Sequence, residues 1–537
     1  MTAWFRRMLL AATAGVSLAA TSVGFAAPVA AHQGADPALV TTDRGPVQGT
    51  VAGDHRTFDG IPYAAAPVGP LRWEPPQPHA RWTAVRDATT PGSRCPQLAG
   101  TALAAGTSED CLFLNVTAPL RDGRPERGLP VMVFVHGGSF VSGSGSGFDP
   151  ARMAVQGHVV VVTINYRLGV LGFLAHPSLD TSPLKSGNFG IEDQQAAFRW
   201  ARRNAEAFGG RPDNVTIFGE SAGAISMCAQ VASPLARGLF DKVISESGPC
   251  TPPFQTLATA ENTGAQVAAA VACTDPATAA ACLRSRSVAQ LVALTNAVRS
   301  PAQLPWSPVV DTGVLPVQPA QALASGRFNR TPAVWGGNHD EFRFFVALQI
   351  LNQGHPITAD QYVAEVRAVF GANADRVLAV YPLSDFPTPS LALATVLTDF
   401  GTVISMCSNL STERLMARHE PTFAYEFADE NAPPLFRAPP GFPLGAAHAF
   451  ELPYLFHLVG FTGTFTPAQQ QLSDQMIQFW TRFAHTGSPS AGEASARWPR
   501  FRDSDDVLSL APGNGAVRTV DFAAEHHCDF WDSLQAS

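Results

Sequence analysis

A chain of 537 residues, 46% hydrophobic and 15% charged, is long enough to bury a large core and exceeds one average domain. Its formal net charge of −8 comes with no basic stripe, which argues against nucleic acid as a partner and reads as solubility alone. Of its eight cysteines, Cys228 and Cys250 have a spacing that resembles no zinc site, so no metal is expected; no cofactor is expected either.

Residues 1–31 read as a secretory leader. Arg6 and Arg7 are its only charges, Met8 to Phe25 is a small apolar stretch, and Val29-Ala-Ala31 offers small residues at a cleavage position. Cutting after Ala31 leaves residues 32–537 as a secreted single domain with 34 basic and 44 acidic residues, net −10. Arg6-Arg7-Met-Leu-Leu10 also loosely fits a twin-arginine signal, so the export route stays open between Sec and twin-arginine. The rival reading of this stretch is a membrane anchor. No second segment is apolar and long enough to span a bilayer, so no stable insertion is expected once the leader is removed.

The runs 131–135, 159–164 and 214–218 are apolar-rich, as strands of a sheet covered on both faces must be. The first ends in His136-Gly-Gly-Ser-Phe140, where residues of little bulk let backbone N–H groups approach a substrate oxygen. The third runs into Gly219-Glu-Ser-Ala-Gly223 and then a helix-compatible segment. A Gly-x-Ser-x-Gly between strand and helix is a nucleophile elbow, with glycines relieving crowding around an exposed hydroxyl. The pattern alone is weak; its setting gives it meaning. An oxyanion would be held by the N–H groups of Gly138, Ser139 and Ala222. The acid and base of such a site follow the serine in the order carboxylate, histidine. Another strand-like run, Thr331–Gly337, leads into Asn338-His-Asp-Glu-Phe342, where the residues alone do not choose between Asp340 and Glu341. His448 lies in a loop of small residues, Pro443-Leu-Gly-Ala-Ala-His448, ahead of an apolar stretch.

Further blocks accompany these: Asp59-Gly-Ile-Pro-Tyr-Ala64 with Pro70-Leu-Arg-Trp73, Ser108-Glu-Asp-Cys-Leu-Phe-Leu-Asn-Val116, Asn165-Tyr-Arg-Leu168, and Gly187-Asn-Phe-Gly190 with Asp193-Gln194. In this order the chain resembles the type B carboxylesterases, which include cholinesterases and bacterial para-nitrobenzyl esterases, from about Val47 to Trp531. The resemblance implies an α/β-hydrolase fold, an α/β architecture with a large, mostly parallel central sheet and helices on both faces. It implies a carboxylic ester hydrolase acting on a small-molecule ester through an acyl-enzyme on Ser221, with Glu341 as the acid and His448 as the base. Glu220 and Ser247 lie near the nucleophile in the family pattern and are expected to form a supporting hydrogen-bond network. Cys95 with Cys111, Cys273 with Cys282 and Cys407 with Cys528 resemble the family's disulfides. Cys228 and Cys250 are left over and read as buried free thiols in preference to a fourth bridge.

Three departures stand out. Phe342 replaces the usual glycine after the acid, so a differently shaped Glu341 loop is expected. Ser139 stands where Gly or Ala is common. The Cys95–Cys111 loop is short and lacks the tryptophan that holds quaternary ammonium groups in cholinesterases, which argues against choline esters. The gorge is expected from loops 95–111, 299–308, 342–360 and 431–447, with Phe342, Phe344 and Phe345 read as core ahead of a pocket. Two rival functions remain. A non-catalytic binding protein of this superfamily would lack a member of the triad, and all three are present here. An acyltransferase or amidase would share the acyl-enzyme, which the sequence does not separate from hydrolysis.

Overall fold

Leu129–Val135 is buried along its whole length, and its side chains face two ways. Val131, Val133 and Val135 join one hydrophobic cluster, while Met132 and Phe134 join a second. Val160, Val162 and Ile164 divide from Val161 in the same manner, as do Val215 and Ile217 from Phe218. Alternating side chains of one strand thus serve opposite cores, which is why these runs are rich in apolar residues on both faces. The computed structural model describes residues 36–120, 128–180, 184–298, 304–490 and 497–535, and the leader reading of residues 1–31 lies outside them. Pro37–Ser537 forms one compact unit.

The central sheet has eleven strands: β1 (Thr50–Ala52), β2 (His55–Pro62), β3 (Phe113–Pro119), β4 (Leu129–Val135), β5 (Val160–Ile164), β6 (Gly210–Glu220), β7 (Lys242–Glu246), β8 (Ala333–Asn338), β9 (Thr422–Phe427), β10 (Val507–Leu510) and β11 (Arg518–Val520). Their spatial order is β11-β10-β9-β8-β7-β6-β4-β5-β3-β2-β1. From β5 through β4, β6, β7, β8 and β9 to β10 every pairing is parallel, and the outer pairings are antiparallel. Helices α1 (Phe189–Asn204) and α2 (Ala222–Ala232) contribute Phe198, Trp200, Ile225 and Met227 to the first cluster. Helix α4 (Pro467–Thr486), which follows the shorter α3 (Arg343–Gln353), contributes Leu472, Met476, Ile477 and Trp480 to the second. This is the α/β-hydrolase architecture, with helices on both faces of a mixed, largely parallel sheet. No helix among the described residues is long and apolar enough to cross a membrane.

The two N-terminal sequence blocks meet in space. Arg72 Nε and Nη2 donate to Glu109 Oε1 and Oε2, each at 2.6 Å, in a bidentate pair. Trp73 Nε1 donates to the carbonyl of Val170 at 2.9 Å. Arg167 makes a second bidentate pair with Asp193, Nε to Oδ2 and Nη2 to Oδ1 at 2.7 Å each, buried beneath the region that follows β5.

The expected bridges Cys95–Cys111, Cys273–Cys282 and Cys407–Cys528 are all formed. The reading of Cys228 and Cys250 as free thiols is wrong: they form a fourth disulfide, and no described cysteine is free. The reason is the contact of α2 with the segment after β7. A Cβ on Gly248 would sit 2.4 Å from Ala224 Cβ, so this glycine brings the two backbones together, and the two cysteine Cα atoms lie 5.3 Å apart. Protein denatured without reductant is therefore expected to take up no thiol-alkylating reagent. Labelling that maps to Cys228 and Cys250 would remove the fourth bridge from the description.

Candidate active site

Ser221 lies between the last residue of β6 and the first of α2, with φ 56° and ψ −120°. A non-glycine residue there costs on the order of 1–3 kcal/mol and persists only where its surroundings enforce it. The enforcement is visible in the neighbouring glycines. A Cβ at Gly223 would lie 2.0 Å from the Val135 carbonyl oxygen, and one at Gly219 would lie 2.7 Å from the same atom. A Cβ at Gly137 would lie 3.0 Å from Ser221 Cβ and 2.6 Å from Glu220 Oε2. The end of β4 and the turn after β6 therefore touch backbone to backbone. Ser221 N–H donates to the Glu246 carbonyl at 2.9 Å, which ties the turn to β7 as well.

The loop after β4 carries Gly138 at φ 102° and Ser139 at φ 53°. Tyr166 hydroxyl donates to the His136 carbonyl at 2.9 Å, and Tyr166 stacks on the His136 ring at a centroid distance of 4.5 Å. The His136 imidazole is pushed down to about 4 by burial, partly offset by its bond with the Gly137 carbonyl, so it is a neutral structural group. Gln97 braces the far side of the loop, donating to the Gly143 carbonyl and accepting from Gly143 N–H, both at 2.9 Å. Among the described residues, the N–H groups of Gly138, Ser139 and Ala222 donate to no other part of the chain.

Glu341 follows β8 and is fully buried. Its Oε1 accepts from Asn338 N–H at 2.9 Å, and its Oε2 lies 2.5 Å from His448 Nδ1. Asp340, beside it, faces elsewhere. It pairs with Arg343 at 2.9 Å, contacts His339 Nδ1 at 3.1 Å, and accepts from Ala446 N–H at 3.0 Å. Glu341 thus holds the His448 ring, while Asp340 holds the backbone of the loop that carries it. Phe342 leaves this geometry intact: its N–H donates to Thr398 Oγ1 at 2.9 Å, and the chain continues directly into α3.

His448 Nε2 lies 3.1 Å from Glu220 Oε1, outside hydrogen-bond alignment. Burial alone pushes the imidazole down, but the carboxylates of Glu220 and Glu341 prevail and hold it up, to about 9. Glu220 is itself pushed up to about 7, by burial first, with His448 opposing and Glu341 adding to the rise. Among the described residues the Ser221 hydroxyl has no hydrogen bond, and His448 Nε2 points toward Glu220. Such bonds are often long in the absence of substrate and tighten when it binds.

No hydrogen bond joins Glu220 directly to Ser247. Ser247 takes φ 64°, its N–H donates to the Gly336 carbonyl at 2.8 Å, and its buried hydroxyl has no partner. What surrounds Glu220 instead is a set of carboxyls that sequence reasoning missed. Glu246 stands opposite Glu220 in the β6–β7 register and is pushed up to about 8 by burial, although Trp480 Nε1 donates to it at 2.7 Å. Glu451, three residues beyond His448, is bonded by Asn338 Nδ2 at 2.5 Å and raised by burial and by Glu220. The available signal was positional: Glu220 and Glu246 both end parallel strands, where open α/β sheets place their sites.

Ser139, Ser221, Ala222, Ile225, Leu304, Phe342, Phe345, Thr402, Val403 and Ile404 line a cavity of about 170 Å³. Ile225, Leu304, Thr402 and Val403 also line an adjoining space of about 650 Å³ bounded by Phe254, Phe400 and Ser408. Phe344 packs against the second hydrophobic cluster as expected, whereas its two neighbours are not plain core. Phe342 and Phe345 form cavity wall, and Phe345 lies over His448 at 5.2 Å. Of the expected gorge loops, 95–111 supplies the Gln97 brace, 342–360 is mostly helix, and 431–447 supplies Phe436, 5.1 Å from Phe344. Residues 299–303 lie outside the described residues. Metal-capable side chains group once among the described residues, at His339, Glu426 and His526, sharing no residue with the serine site.

A serine on a strained strand-to-helix turn, with donors beside it and a carboxylate-held histidine behind, defines the serine hydrolases of this fold. The chain belongs to the carboxylesterase family, whose sequence model matches residues 36–531. It is 35% identical to fumonisin B1 esterase of Sphingopyxis macrogoltabida over 94% of this chain and 92% of that protein. It is 34% identical to para-nitrobenzyl esterase of Bacillus subtilis (strain 168) over 87% and 93%, respectively. A solved thermophilic para-nitrobenzyl esterase superposes with a TM-score of 0.73 at 32% identity, covering 89% of this chain and 96% of that one.

Two measurements check this geometry. Gly223→Ala should cost at least about 2 kcal/mol in unfolding free energy, because the clash is with backbone. Gly147→Ala, where a Cβ meets nothing within 4 Å, should be near neutral. Nitrogen NMR of the His448 ring should show a pKa above the usual histidine value of about 6.5. Glu220→Gln should lower it, since removing a carboxylate destabilises the imidazolium; an unchanged value would remove Glu220 from its electrostatics.

Proposed function

We propose that this carboxylic ester hydrolase works through a Ser221–His448–Glu341 triad. The observation that carries the reading is that Ser221, Ser139 and Ala222 open onto one cavity whose wall residue Phe345 covers the Glu341-bound His448. His448 Nε2 takes the Ser221 proton as the hydroxyl attacks the ester carbonyl, and Glu341 fixes the ring with Nδ1 protonated and steadies the imidazolium. The N–H groups of Gly138, Ser139 and Ala222 receive the oxyanion, each worth about 3–4 kcal/mol in the transition state. His448 then protonates the leaving alcohol, and water repeats the sequence on the acyl-enzyme.

The raised pKa of His448 has a consequence for rate. Only the neutral ring accepts the proton, so activity should climb with pH until the ring is fully deprotonated. The residues lining the cavity at Ser221 are all uncharged, which favours neutral esters over anionic ones. The relatives' names point to differing substrates, so it is the cavity that supports this preference. The enzyme is read as secreted, with residues 32–537 as the mature domain and no nucleic-acid partner.

Hydrolysis of para-nitrophenyl esters by the mature protein and three variants tests the assignment. Ser221→Ala should lose at least about a thousandfold in kcat/KM, and Glu341→Gln about 10³–10⁴-fold. Asp340→Asn should lose far less than Glu341→Gln. The reverse order would place the acid one residue earlier, and full activity in Ser221→Ala would end the triad reading.

A further inference from the structure

On the far side of Asp340 from Glu341, three chain segments bring together two imidazoles and a carboxylate. His339 directly follows β8, Glu426 lies on the neighbouring strand β9, and His526 lies two residues before the Cys407–Cys528 bridge. One ligand-capable atom from each falls within 4.8 Å of the other two. His526 and Glu426 are buried, and their Nε2 and Oε1 atoms are 2.7 Å apart. The His339 side chain is 38% exposed, so the group opens to solvent on one side.

The surroundings resemble a metal site more than a chance ion cluster. Both histidines have Nδ1 against a carboxylate, His526 against Asp399 Oδ1 at 2.6 Å and His339 against Asp340 Oδ1 at 3.1 Å. Those carboxylates are anchored in turn. Asp399 Oδ2 accepts from Tyr381 hydroxyl at 2.8 Å, which accepts from Trp531 Nε1 at 2.9 Å. Asp340 is held by Arg343 and by Ala446 N–H. A carboxylate on Nδ1 fixes the ring and holds a proton there; Nε2 of His526 also faces Glu426 Oε1, so it becomes a metal donor once the proton between them is released. Two imidazoles and one carboxylate form a donor set that zinc uses with a fourth, open position. Ligand atoms around zinc lie roughly 3.3 Å apart. Coordination asks the His526 Nε2–Glu426 Oε1 pair, now 2.7 Å apart, to open by roughly 0.6 Å and His339, the exposed member, to move in.

We propose that His339, Glu426 and His526 bind one Zn²⁺, through Nε2 of each histidine and a Glu426 carboxylate oxygen, with water completing the coordination. Any proton shared between His526 Nε2 and Glu426 leaves to solvent as the metal enters. The ion clamps the C-terminal segment to β8 and β9, and β8 is the strand that leads to Glu341. Its role is structural, and the serine chemistry needs no part of it.

Metal-stripped mature protein titrated with Zn²⁺ alone in a calorimeter should bind one ion per chain, and the melting temperature should rise. Co²⁺ in its place should give the visible absorption of a four- or five-coordinate site. His339→Ala, at the exposed edge, should keep the fold by circular dichroism. It should weaken Zn²⁺ binding at least tenfold and lose both the thermal shift and the cobalt spectrum. His355→Ala, at an exposed histidine elsewhere, should change none of these. If His339→Ala fails to fold, His339→Gln provides the same comparison. Absence of binding at 1:1 stoichiometry, or binding that the His339 variant leaves unchanged, overturns the proposal and makes the cluster a proton-held ion network.

Discussion

The contact between the carbonyl of Val135 and the glycines at 219 and 223 sets the distance from which the site is built. Parallel strands β4 and β6 are neighbours, so the chain leaving β4 and the turn leaving β6 compete for the same space. Without side chains at these positions the two backbones meet. The Ser221 turn is then trapped in a conformation that an isolated peptide would leave at once. The strain is offset by the sheet, not by any bond the serine itself makes.

A second constraint is electrostatic. Glu220, Glu246, Glu341 and Glu451 share one buried region with a single imidazole, and four full negative charges there would repel strongly. Burial raises the Glu246 carboxyl to about 8 and the Glu451 carboxyl well above the usual carboxylate range, while Glu220 and Glu341 are the two that lie against His448. The environment sorts chemically identical side chains into different jobs.

Much of this was legible in the residues. The apolar-rich runs at 131–135 and 214–218 marked strands buried on both faces, and the Gly-x-Ser-x-Gly setting marked the turn. The choice of Glu341 over Asp340 was not legible from the residues, because it depends on which carboxylate points across to another loop; the family pattern supplied it. Cys228 and Cys250 were misread because their pairing rests on a helix-to-loop contact made through Gly248 and Ala224. No direct bond joins Glu220 to Ser247, because proximity in a motif does not aim a hydroxyl. His339, Glu426 and His526 are spread over nearly two hundred positions, with no spacing pattern to draw them together.

The bridge from Cys407 to Cys528 closes a covalent ring around the stretch that contains His448. A single peptide-bond cut between Cys407 and His448 would open the chain without releasing a fragment. The serine-bearing and histidine-bearing portions would then stay tethered as one molecule of unchanged mass, apart from the added water, until a reductant freed them.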